Sequence, residues 1–129
     1  MKLLLPEGWI QPKGYSQAVM AVGKQVYISG QIGWDEAATF QSDDFAEQAG
    51  QALRNIVSIL ATANAGAEHI TRMTWFITDK QEYLASLKSL GKKYREEVGR
   101  HFPAMSVVEV KSLIEDRAKV EIEATAVIP

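Results

Sequence analysis

The sequence predicts an α+β fold, a mixed sheet with two helices packed on one face, and three observations carry it. Alternating or β-branched segments occur near the start, in the middle and at the end of the chain. Two stretches between them repeat apolar residues at three- and four-residue steps, and each is opened by an aspartate with a glutamate three positions later. The order is strand, strand, helix, strand, helix, strand, strand, with no repeat, linker or low-complexity segment. At 129 residues and 47% hydrophobic content the chain suits one domain with a real core, so residues 1–129 read as a single domain.

In "QAVMAVGKQVYISGQI" two short apolar runs flank Gly23-Lys24, and Val26 and Ile28 alternate with Gln25, Tyr27 and Ser29, which predicts a hairpin. "GWDEAATFQSDDF" has no periodicity and reads as a loop. Asp44 and Glu47 then open a helix whose apolar residues run from Phe45 to Ala63, about six turns, with Gly66 as its stop. "ITRMTWFITD" reads as a strand. Asp79 and Glu82 cap a second helix with the stripe Tyr83, Leu84, Leu87, Leu90, Tyr94 and Val98, ended by Gly99 and Pro103. "MSVVEVKSL" and "RAKVEIEATAVI" predict two strands joined by a polar turn at "IED", the second alternating Val120, Ile122, Ala124 and Ala126 with Glu121, Glu123 and Thr125. Trp75, Ile77, Val108 and Val110 predict that both sheet faces are partly apolar, and self-association is the simplest cover.

The bulk numbers narrow the function classes. Fourteen Lys and Arg against sixteen Asp and Glu leave a net charge of −2 and no basic excess for a phosphate backbone, so nucleic acid is not an expected partner. The absence of cysteine removes disulfides, thiolate nucleophiles and thiolate metal sites, and suits a reducing compartment. Pro6 and Glu7 interrupt the N-terminal apolar run well short of a signal-peptide core, and no window has the length of a membrane span. A cytoplasmic protein with no membrane partner is expected. His69 and His101 show no ligand spacing, so no metal and no cofactor is expected. "GKKYREE" reads as a solvated helical face.

Five segments together carry a family pattern: "GYSQAV", "VYISGQI", "QALRNIVSILATANAG", "FITD" and "FPAMSVVEV…VEIEATAVIP". On them the chain resembles, over essentially its whole length, the RidA/YjgF/YER057c family of enamine and imine deaminases, also described as endoribonuclease L-PSP. The resemblance implies a chorismate-mutase-like fold assembled as a homotrimer, with three equivalent clefts between subunits, the far sheet face packing inside the trimer. It also implies hydrolysis of a 2-imino acid or its enamine tautomer to a 2-oxo acid and ammonia, which needs an oriented water and a cation on the substrate carboxylate.

By the same resemblance Glu121 is the catalytic candidate that positions water, while Tyr15, Ser29 and Gly30 line the cleft, the last two through main-chain groups. Two positions depart from the pattern. Met105 stands in "PAMS" where the family carries its carboxylate-binding arginine, and a thioether cannot make those charge-assisted bonds. Leu87 stands where the well-studied deaminases carry a cleft asparagine. Both are expected to make the pocket more apolar, with Met105 as a wall. Arg117, in a turn one residue longer than the family's usual one, either swings in to replace the missing cation or is a solvated turn residue. Trp34 is either a lid over an apolar substrate or a packed tryptophan. Glu123 reads as structural. The expected function is thus a Rid-family hydrolase releasing ammonia from an imine or enamine other than the usual 2-imino acids; the alternative is a non-catalytic trimer binding a small ligand or a protein in the same clefts.

Overall fold

The computed structural model describes residues 1–129. Strands β1 (Lys2–Leu4) and β2 (Ala18–Met20) form a small antiparallel pair. The main sheet holds β3 (Lys24–Ile32), β4 (Ile70–Ile77), β5 (Ala104–Glu109) and β6 (Val120–Ile128) in the order β3-β6-β4-β5. Strand β6 runs antiparallel to both neighbours, and the edge strand β5 runs parallel to β4. Helices α1 (Phe45–Ala61), α2 (Lys80–Ala85) and α3 (Leu87–Glu97) complete a mixed α+β architecture.

The period-2 pattern of β6 decides which face meets the helices. Val120, Ile122, Ala124 and Ala126 are buried, while Glu121, Glu123 and Thr125 take the opposite face. Helix α1 lays Ala49, Ala52, Leu53, Ile56 and Leu60, all without exposed surface, onto that buried row. Its start is held by Asp44, whose Oδ2 accepts the Glu47 amide at 3.0 Å. Helices α1 and α3 are clamped by Arg54 to Glu97 at 2.7 Å and Lys93 to Glu47 at 3.0 Å. The hydrogen bond from Glu97 raises the Arg54 pKa, and that from Glu47 raises the Lys93 pKa.

Five expectations are corrected. The predicted hairpin does not form: β2 pairs with β1, and β3 pairs along its length with β6. Gly23 sits at φ +152°, far from the roughly +60° that a two-residue II′ turn requires, and the seven paired positions of β3 on β6 outweigh three residues of β2. Helix α1 stops at Ala61 after 17 residues, just under five turns, as Asn64 turns left-handed at φ +56°. The second helix is broken at Ser86, whose hydroxyl takes the Glu82 carbonyl at 2.7 Å while its amide bonds Tyr83 instead. Strands β5 and β6 are not a hairpin, because β4 lies between them. Trp75 and Ile77 belong to the helix face, where both are buried, leaving Val108 as the exposed apolar residue of that set on the other face.

Candidate functional site

The residues singled out from sequence fall into two groups. Tyr15, Leu87 and Met105 line one cavity of about 570 Å³ between α3, β4, β5 and the segment before β2. That segment is laid along the free edge of β5: the Ser16 amide donates to the Pro103 carbonyl at 3.0 Å and its hydroxyl to the Phe102 carbonyl. Tyr15 is thereby fixed at the cavity mouth, 38% exposed. Met105 pairs with buried Met73 and packs against the core from the helix side. Leu87, half exposed at the first turn of α3, is a rim residue rather than a core one.

The second group gathers around the β3–β6 pair. Glu121 is half-buried, and its carboxylate lies against the Gly30 backbone so closely that a Cβ on Gly30 would stand 2.6 Å from the Glu121 Cδ. Only glycine leaves that carboxylate in place. Ser29 is exposed beside it, next to the irregularity between Ile28 and Gln31 where β3 shifts register on β6. Trp34 packs on Phe40 at 5.8 Å, and Asn55 of α1 donates to its carbonyl at 2.8 Å. The loop carrying both aromatics is wrapped on Asp35, whose pKa is lowered by the hydrogen bond from Gln41 and then by the Thr39 and Ala37 amides.

Arg117 is held away from Met105. Its guanidinium donates to Asp43 at 3.0 Å and lies over the Phe40 ring at 5.2 Å. The segment it starts is tied to α1 by buried Gln48, which donates to the Ser42 and Arg117 carbonyls and accepts the Lys119 amide. Gln48 therefore sets where β6, and with it Glu121, begins.

One geometric fact organises the two groups. Met105 is on the helix face of the sheet and Glu121 on the other, since Val120 and Ile122 beside it are buried toward the helices. Within one chain they share no cavity. The cavity beside Met105 also holds residues that sequence reasoning passed over: Lys13, Trp75, Tyr94 and Arg95. Arg95 sits within the run read as a solvated face, yet that run divides: Lys93 and Glu97 hold α1, and Arg95 lines the cavity. The readable trace was its spacing, since Leu87, Gly91 and Arg95 follow one another at four-residue steps on α3. Tyr94 stacks on Phe102 at 5.6 Å and donates its hydroxyl to the His101 carbonyl; burial pushes its phenol well above the usual value.

His69 accepts the Gly66 amide and His101 meets the Ile70 carbonyl through Nε2, so each ring serves a local bond. No three His, Cys, Asp or Glu residues are grouped to hold a metal, and no helix is long and apolar enough to cross a membrane.

The sequence model of the family described as Endoribonuclease L-PSP matches residues 10–128. The chain belongs to the RidA/YjgF/YER057c family. Among Rid relatives, a human 2-iminobutanoate/2-iminopropanoate deaminase is 33% identical over 114 residues, 88% of this chain and 79% of that one. The Rid protein YyfB of Yersinia pestis, described as of unknown function, superimposes with a TM-score of 0.86 at 26% identity, covering 98% of each chain. The E. coli protein TdcF with bound serine has a TM-score of 0.72 at 32% identity, with 100% of both chains covered.

Proposed function

We propose that residues 1–129 act as one chorismate-mutase-like Rid domain, assembled as a cytoplasmic homotrimer, that hydrolyses an imine or enamine metabolite other than the usual 2-imino acids. The observation that carries this reading is the Glu121 carboxylate held against the Gly30 backbone on the face opposite Met105. A trimer supplies what one chain lacks, because Glu121 of one copy can meet the Tyr15, Leu87 and Met105 cavity of the next. Curated relatives at about a third identity are imine deaminases, which supports the reaction class.

In this reading Glu121 accepts a proton from water as the oxygen adds to the C=N carbon, and main-chain groups near Gly30 bind the polarised substrate. The proton passes to nitrogen, the carbinolamine loses ammonia, and the carbonyl product remains. No metal or cofactor is needed for that balance. Met105 and Leu87 form an apolar wall where a guanidinium and an amide are expected in a small 2-imino acid deaminase. RNA cleavage, which the family description carries, draws less support from a chain of net charge −2.

A second reading has its own observation: the cavity beside Met105 contains no carboxylate from its own chain, which suits a module that holds a small ligand or a protein without hydrolysing it. Ammonia release from a panel of freshly generated imines separates the two. The native protein should release ammonia from at least one imine, and Glu121→Gln should lower kcat by at least a hundredfold with folding unchanged. Saturable ligand binding with no ammonia from any imine would favour the module.

A further inference from the structure

Trp75 is 3% exposed and its Nε1 is the one buried side-chain polar atom without a hydrogen-bond partner in this chain. Such a donor is costly to leave bare, and Trp75 lines the cavity beside Met105. The same cavity is walled by aromatic and aliphatic side chains, among them Leu87, Leu90, Phe102 and Val107, and its charged residues are both cations, Lys13 and Arg95.

Arg95 and Arg72 are both free of ion pairs and side-chain hydrogen bonds, and of the two only Arg95 lines this cavity. Arg117 is paired with Asp43, whereas the Arg95 guanidinium is absent from every ion pair and side-chain hydrogen bond of the chain. Its Nη1 lies back toward Gly91, 3.4 Å from where a Cβ there would stand, so the missing side chain of Gly91 leaves room for the guanidinium beside the cavity. Arg72 borders a different groove, shared with Tyr15, Met105 and Ser106.

We infer that this cavity binds a carboxylate with a bulky apolar or aromatic body, its carboxylate gripped by Arg95 with Lys13 and its body laid against the wall that includes the Trp75 indole. The inference rests on the reading of this cavity as the substrate half of the Rid site. Arg95 then replaces the cation missing at Met105 from a different element, α3 instead of β5. A small 2-imino acid fills little of the apolar wall, whereas a ligand with a phenyl-sized body fills it while leaving its anion at the cationic rim.

The test uses phenylpyruvate as a stable carboxylate probe, with pyruvate and the neutral ketone phenylacetone beside it, read by calorimetry and by the indole N–H resonances of the full-length protein. Phenylpyruvate should bind at least tenfold more tightly than pyruvate and shift the Trp75 indole N–H. Arg95→Gln should weaken phenylpyruvate by about ten- to a hundredfold, the loss of a charge-assisted bond, while leaving phenylacetone unchanged. Arg95 is exposed on α3, so the variant is expected to fold; Arg72→Gln should leave phenylpyruvate binding as it was.

Equal binding of pyruvate and phenylpyruvate, a loss with Arg72→Gln in place of Arg95→Gln, or an indole resonance unmoved because a second copy already occupies the cavity, overturns the inference. Ammonia assays keep the two readings apart. Arg95-dependent phenylpyruvate binding without ammonia from any imine leaves the pocket standing and sinks the deaminase; ammonia release with binding insensitive to Arg95→Gln does the reverse.

Discussion

A glutamate on a strand is an ordinary solvated residue until its carboxylate has a place of its own, and the Glu121 carboxylate lies in the space that a side chain at Gly30 would fill. The Gly30 backbone is not in the left-handed region, so alanine there meets no backbone strain, only the Glu121 side chain at 2.6 to 2.8 Å. A flexible carboxylate can turn away at little cost, which makes Gly30→Ala a displacement of Glu121 more than a folding defect. Stability to urea should change by less than about 1 kcal/mol while kcat/KM for imine hydrolysis falls about ten- to a hundredfold. Unchanged kcat/KM in a variant shown to have moved the carboxylate would remove the water-positioning role. The face that Glu121 takes was legible because β6 alternates strictly, and its nomination came from the family likeness; the contact with Gly30 was not legible, because it depends on how β3 registers on β6 across a shift near that glycine.

Between elements, the arrangement around Glu121 hangs on Gln48. It is 1% exposed and satisfies three main-chain groups from two segments, the loop ahead of α1 and the entry to β6. Gln48→Ala leaves those groups buried without partners and should cost roughly 2–4 kcal/mol in chemical denaturation. A loss under about 1 kcal/mol would show that water takes over its bonds. In sequence Gln48 is one polar residue among the alanines of α1, and nothing local marks it as buried. By contrast the caps at Asp44 and Asp79 were readable, since a carboxylate two or three residues before the amides it accepts is a local arrangement. Ser86 shows the limit of that reading: the apolar stripe continues through it, but its hydroxyl competes for the helix's own carbonyl and splits α2 from α3.

At the scale of the molecule, the opposite placement of Met105 and Glu121 makes the proposed chemistry a property of an assembly. Light scattering should give a mass about three times the 14.3 kDa of the chain. The surface proposed to pack inside the trimer includes Val108, 42% exposed on the sheet face away from the helices. Val108→Asp should therefore dissociate the assembly and abolish imine hydrolysis while circular dichroism stays native, because a buried unpaired charge is costly at an interface but harmless in water. A monomer that retains full hydrolysis would show that the site is complete in one chain.

By itself the sequence determined the α+β class, the strands of the main sheet, the helix α1 and which residues of β6 face the core, because each of these is set by periodicity and by bonds spanning a few residues. It also carried the family likeness, on which the nomination of Glu121 and the expected departure at Met105 rest. Only the tertiary structure decided that β5 lies parallel to β4 at the sheet edge, that Met105 and Glu121 occupy opposite faces, and that Arg95 and the unpartnered Trp75 indole line the cavity beside Met105. The physical reason is range: strand order and register are won by the longest well-packed ladder among distant segments, and a charged residue on a helix has no local mark that tells a solvated face from one turned toward a pocket.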